Sequence, residues 1–421
     1  MLSRSSVPGT LKSADADAAV EVAGAMLFLA SLQVCALNLG GRVLAPGSQG
    51  AGWWDARCAA MPIVLPPTDA NPRWKMFYYG REGAEWNGGL PAFLPTGVSG
   101  VAESEDGLSW SRIRGPLEGG SILRPSEDPA AFDNVHLGMT DVLVNEDDGS
   151  YTALYLGGSA EQVSLGMGPG PISGFKMLPA AATSADGLSW ERCGTNPLLD
   201  VGDEGEWDSN FASWPRALPV DPAKPGGRWL MTYHALQPVQ QGAAEAEGDE
   251  AGSEAGEARP PTWAVGCAVS EGGPLGPWSK VGRVLEGGAQ GAWDERGIGT
   301  RHVVHATGGE TSQMVMVYEG VGADGRHGLG LATSTDGGLS WDKVLEVGAE
   351  PGGPILRGSE PSGEGAWDDG NIGTPWLVRL PDGRWRLYYV GTSDKGRTVA
   401  IGAAESDELF SCDWTRVEAT C

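Results

Sequence analysis

Five times along this chain of 421 residues the same three signals return in the same order, and this recurrence limits the fold more than any other feature. Each unit opens on an aromatic residue and Asp: WWDARCAAMPIVL (53–65), FDNVHLGMTDVLV (132–144), WDSNFASWPRAL (207–218), WDERGIGTRHVVH (293–305) and WDDGNIGTPWLV (367–378). A second run follows: RWKMFYYG (73–80), SYTALYLG (150–157), RWLMTYHA (228–235), QMVMVYEG (313–320) and RWRLYYVG (384–391). A closing hairpin ends on a strand with Trp110, Trp190, Trp278, Trp341 or Trp414. The runs are short, rich in Val, Leu, Tyr and Trp, and bounded by Gly, Pro and Asp, which is the pattern of strands and turns. No helical period interrupts them. Four antiparallel strands repeated around an axis make a β-propeller, so the expected fold is all-β and five-bladed. The alternative, two β-sandwich domains, does not require the shared order of signals.

The propeller is expected over residues 43–421, with an acidic loop insertion at about 241–260 (AAEAEGDEAGSEAGE, 243–257, lies in it). Residues 1–42 are an N-terminal extension whose apolar part (18–38) carries Glu21 and follows Asp15 and Asp17. That is a poor secretory signal and no stable membrane span, which leaves a targeting segment or an added strand as its readings and the compartment undecided. A formal charge of -26 opposes nucleic acid and anionic membranes, and suits a neutral ligand or a basic protein partner at the acidic surface or loop. The six cysteines are scattered without a CxxC pair, so neither a zinc site nor a redox motif is expected.

A residue present in every unit serves the unit. The repeated Asp55, Asp133, Asp208, Asp294 and Asp368, the terminal Trp residues and the Ser and Asp of the closing hairpins (SEDGLSW, SADGLSW, STDGGLSW) read as structural. Chemistry is sought where the units disagree. Aligned on their apolar runs, the inner strands place Ile63, Asp141, Arg216, His302 and Trp376 at one position, preceded by Pro62, Thr140, Pro215, Arg301 and Pro375. After the common Tyr of the second strands come Gly80, Leu156, His234, Glu319 and Val390, with Arg81 and Glu82 following in the first unit. One rim would then gather Asp141 and Glu319 as catalytic carboxylates. Glu82, Arg81, Trp214, Arg216, His234, Arg301, His302 and Trp376 would line it as binding groups. Carboxylates protonate and activate, Arg and His grip hydroxyls, and Trp stacks on sugar rings. The other reading is that these charges only pair with one another. No cofactor is expected, although a lone imidazole at His302 could hold a central metal ion with waters.

The pieces WD…G-T-P, RW-x-L-Y-Y-x-G and S-x-D-G-L-S-W, over residues 43–418, resemble the five-bladed glycoside hydrolase superfamily of arabinanases, xylosidases, invertases, levansucrases and mannoside phosphorylases. The resemblance implies action on a glycosidic bond through an Asp on the first blade, an Asp on the second and a Glu on the third. Asp141, followed by Val-Leu-Val and then Asp147-Asp148-Gly149, is similar to the second. The first is replaced by Met61-Pro62, and the third is missing near Trp214-Pro215. A catalytic chain would therefore recruit Asp55, Glu82, Asp208 or Glu319. A non-catalytic propeller binding carbohydrate or protein is the alternative. The closing hairpins also resemble those of sialidases, which typically have six blades and an arginine trio.

Overall fold

In the computed structural model the described residues are 40–417, apart from 49, 83–96, 164–170, 195, 237–261, 307–312, 348–351, 361–365 and 394–397. The acidic insertion and the apolar N-terminal stretch lie outside them. Five antiparallel meanders follow one another. The first runs Cys58–Leu65, Trp74–Arg81, Val98–Ser104 and Ser111–Ile113. The second runs His136–Val144, Tyr151–Gly158, Met177–Ser184 and Glu191–Arg192. The third has Ser213–Pro219, Trp229–Leu236, Trp263–Ser270 and Ser279–Glu286. The fourth has Gly297–His305, Met314–Val321, His327–Ser334 and Asp342–Lys343. The fifth has Ile372–Arg379, Trp385–Ser393, Thr398–Ser406 and Thr415–Arg416. Each inner strand touches those of the units before and after, and the last touches the first. The sheets thus close into a β-propeller ring, and no described helix is long and apolar enough to cross a membrane.

The repeated residues explain the repeat. Each Asp is buried and accepts a hydrogen bond from the Tyr of its own second strand. The pairs are Tyr78–Asp55 (2.9 Å), Tyr155–Asp133 (3.2 Å), Tyr233–Asp208 (3.0 Å), Tyr318–Asp294 (3.3 Å) and Tyr389–Asp368 (3.1 Å). A cation from the outer strand completes each set: Arg112, Arg192, Lys280, Lys343 or Arg416, all at 2.6–2.9 Å. A buried carboxylate needs such partners, and here every unit supplies its own. The aromatic residue before each Asp packs over the third strand where that strand has no side chain. A Cβ on Gly100, Gly266, Gly330 or Gly402 would lie within 1.8–2.7 Å of Trp54, Trp207, Trp293 or Trp367. In the second unit Phe132 replaces Trp and Ala180 occupies the glycine position opposite Tyr155, a smaller ring matched by a larger residue.

Closure uses the N-terminal segment. Arg42–Leu44 pairs antiparallel with the third strand of the fifth unit, Arg42 opposite Gly402 and Leu44 opposite Ile401. Leu356–Arg357 does the same on the fourth unit, Leu123 bridges to Ser99 in the first, and Glu286 and Leu285 lie against Ala264 and Val265 in the third. GRVLA (41–45), just before the first unit, is like GRVLE (282–286) and takes the equivalent place on the fifth unit. The sequence reading looked for an added strand at 19–38, outside the described residues; the closing strand is at 42–44.

The closing hairpins spend their polar groups locally. Asp106 accepts from Leu108 N and Ser109 N at 2.7 Å and from the Ser104 hydroxyl at 2.8 Å. Burial alone would raise its carboxyl, but these bonds outweigh it and hold it at about 2. Asp186 and Asp336 repeat the arrangement.

Candidate functional site

The start of each inner strand is irregular, between Ala60/Ile63, Met139/Asp141, Ser213/Arg216, Ile298/Arg301 and Gly373/Trp376. Three residues before proline take positive φ there: Met61 (54°), Trp214 (59°) and Thr374 (45°). Such backbone costs roughly 1–2 kcal/mol per residue outside glycine, so the packing around it must hold it in place. A bulge of this kind re-aims the neighbouring side chains.

Past the irregularity, Ile63, Asp141, Arg216, His302 and Trp376 face Phe77, Leu154, Thr232, Val317 and Tyr388, the residues before the five buried tyrosines. The alignment read from the sequence is therefore the register of the strands. One position shifts: Tyr78 holds Asp55, so the first unit's counterpart of Glu319 is Tyr79 and not Gly80.

Four of these five side chains turn sideways to the next unit's backbone. Ala217 N donates to Asp141 Oδ2 (2.9 Å), and Leu377 N donates to His302 Nδ1 (3.0 Å). Arg216 Nε donates to the Arg301 carbonyl (2.9 Å), and Trp376 Nε1 donates to the Val64 carbonyl (2.8 Å). Arg216 also lies over the Trp376 ring at 4.5 Å, whose other contact is His302, stacked at 3.9 Å and 15°. This layer is stitching between units. Burial raises the Asp141 carboxyl to about 6, against the opposing pull of Arg216 and the backbone bonds. His302 is held well below its ordinary value by burial and by Arg216, so its ring is neutral. With Nδ1 accepting from Leu377, its proton belongs on Nε2, which leaves no lone pair for a metal ion.

A second group lies towards the starts of the third and fourth inner strands and the ends of their second strands. Glu319 is only partly buried. It accepts from the Thr300 hydroxyl, pairs with His327 Nδ1 at 2.6 Å and lies 3.3 Å from Thr374 N, while Thr374 N also donates to Thr300 Oγ1 at 2.8 Å. Its seat depends on glycine: a Cβ on Gly373 would sit 2.5 Å from Glu319 Oε2. Burial pushes Glu319 up, but the bonds from His327, Thr300 and Thr374 N together with the His327 charge bring it below the usual value. Burial lowers His327, and Glu319 more than reverses this. The pair is thus a carboxylate and an imidazolium. Beside it, His234 packs among Trp214 (5.7 Å), Trp263 (5.4 Å) and Phe211 (5.9 Å), and burial with the Arg301 charge lowers it to about 3. The Glu319 charge reaches His234.

The expected site residues therefore separate. Trp214, His234, Arg301 and Glu319 come together, and Asp141, Arg216, His302 and Trp376 form the adjoining layer. Arg81 lies opposite Cys58 and hydrogen-bonds its thiol, and Glu82 is exposed beyond it. Asp55 and Asp208, expected as recruits for catalysis, are both buried, with oxygens taken by a tyrosine and a cation. The sequence reading missed His327, although of the five third strands only this one opens on His. It also missed the outer cations, signalled by Trp-x-Arg/Lys in every unit (Trp110/Arg112, Trp190/Arg192, Trp278/Lys280, Trp341/Lys343, Trp414/Arg416).

No family model matches the chain, and neither does any curated protein. Solved structures do. A glycosyl hydrolase from Bacteroides ovatus is 15% identical with a TM-score of 0.56, covering 90% of this chain and 95% of that one. An α-L-arabinofuranosidase from Lactobacillus brevis is 12% identical with a TM-score of 0.52, covering 87% and 97%. An N-acetylgalactosamine deacetylase from F. plautii, in complex with blood group B trisaccharide, is 14% identical with a TM-score of 0.52, covering 86% and 95%. At this identity they establish a shared propeller fold. They also show that one fold carries two different reactions on sugars.

Proposed function

We propose that this chain is a saccharide-directed, glycoside hydrolase-like propeller that acts on a glycosidic bond. The observation that carries this reading is Glu319, a partly exposed carboxylate kept ionised by His327, Thr300 and Thr374 N beside an aromatic cluster. An ionised carboxylate suits a base or a nucleophile, with His327 as the proton-bearing partner. Half-buried Trp263, packed on Phe211 and His234, forms part of that cluster, and Trp214 and Trp376 are nearly covered. Asp141 then serves by position, fixing the third unit against the second, and does not touch the sugar. We take residues 43–421 as the working unit, with the acidic run at about 241–260 supplying negative charge for a basic partner.

A second reading, sugar binding without turnover, is favoured by the loss of the first-unit Asp to Met61-Pro62 and by the isolation of Asp141 beside Arg216. Turnover of aryl glycosides and oligosaccharides by wild type, Glu319→Gln and Asp141→Asn separates the two. On the first reading Glu319→Gln loses about 10²–10⁴-fold in kcat while still binding sugar. Binding without turnover in wild type selects the second, and neither binding nor turnover on a broad panel sinks both.

A further inference from the structure

The channel wall between the third and fourth units carries more positive charge than its neighbours balance. Arg216 and Arg301 are 2% and 0% exposed and feel one another's charge, and Arg216 Nε donates to the Arg301 carbonyl. Asp141 acts on Arg216, but among the described residues no carboxylate acts on Arg301, whose Nη2 donates to the Trp214 carbonyl at 2.8 Å. Guanidinium keeps its proton in proteins, so the excess cannot be removed by titration. Three buried N–H groups on these adjoining residues meet no acceptor: Arg216 Nη1, Arg301 Nε and Trp214 Nε1. All three groups can only donate. Buried donors without acceptors and a buried charge without a counter-charge both call for a negative ligand.

We propose that Arg216 Nη1 and Arg301 Nε bind a small monovalent anion such as chloride. One negative charge balances two guanidiniums and Asp141. Arg301 and Trp214 adjoin the group around Glu319, but the proposal rests on the unpaired N–H groups of Arg216 and Arg301 and does not depend on the saccharide reading. The anion would act as a pin between the third and fourth units.

Bromide is the probe. Thermal unfolding of the wild-type chain is followed in sodium bromide, sodium gluconate and sodium glucuronate at matched ionic strength. Bromide at about 200 mM is expected to raise Tm by roughly 2–4 °C over gluconate. Arg301→Met is expected to abolish that increment. Crystals of the wild type soaked in bromide should show anomalous density within hydrogen-bond distance of Arg216 Nη1 or Arg301 Nε, and this holds the proposal to account even if the variant does not fold. Equal unfolding curves in bromide and gluconate, with no bromide at the two arginines, overturn it. Stabilisation by glucuronate and not bromide also overturns it, and assigns the arginines to an acidic sugar instead.

Discussion

Two rings run through this molecule, and they solve one problem in opposite ways. The outer ring repeats a single device five times: Asp, Tyr and a cation from the last strand. The inner ring has Ile63, Asp141, Arg216, His302 and Trp376, five different residues, yet four of them do the same job of bonding to the next unit's backbone. Chemical variety at equivalent positions is therefore not in itself a mark of function. At the inner wall, Arg216 packs on Trp376 and Trp376 on His302, so neighbouring units fit one another with unlike residues.

The comparison can be broken most forcefully at the outer ring. Asp55→Ala strands a buried tyrosine hydroxyl and Arg112 together, and urea unfolding should show a loss of about 3–5 kcal/mol. A loss near zero would mean that the repeated sets are ornament. Next comes the aromatic–glycine match. Gly100→Ala drives a methyl into Trp54 and should cost about 1–3 kcal/mol. Adding Trp54→Phe should recover part of this, because the second unit already uses Phe132 with Ala180; a double-mutant cycle without favourable coupling rejects the match.

The inner ring is probed by pH. The folded Asp141 carboxyl titrates at about 6 against an ordinary 3.8, so the native state holds its proton more tightly than the unfolded state. Its contribution to stability therefore falls as pH rises from 3.8 to about 6, by on the order of 3 kcal/mol. Asp141→Asn, which keeps an acceptor for Ala217 N, should lack that fall when Tm is measured across the window. The smallest effect is expected at Glu319 and His327. Glu319 is lowered from 4.5 and stabilises above that pH, with the contribution lost as pH falls through its folded value. His327 is raised from 6.5 and stabilises below that pH, with the contribution lost as pH rises through its folded value. Both are full between pH 4.5 and 6.5, where Glu319→Gln should cost about 1 kcal/mol or less because the pair is partly solvated.

The fold was legible because a repeat reports itself: five aromatic-Asp openings and five terminal Trp residues need no partner to be counted. The outer sets were half legible. Trp-x-Arg/Lys stands in every unit, but nothing in a linear pattern ties Arg112 to Asp55 across the sheet. The site was least legible. Glu319 was found by its departure from its counterparts, whereas His327 meets it diagonally across a hairpin, Val321 lying opposite His327 and Glu319 opposite Leu329. The direction in which Asp141 and His302 turn depends on irregular backbone just upstream, which residue identity does not encode.

The strand at Arg42–Leu44 carries a consequence for biosynthesis. Its partner residues Ile401 and Gly402 come after four whole units, so during synthesis the segment must wait for those units to be made before it can dock. Until then the ring is open, and the first and fifth units both present uncovered edges. A nascent chain of this design is most exposed to wrong pairing, including with a neighbouring copy's fifth unit, until the third strand of its own fifth unit is made.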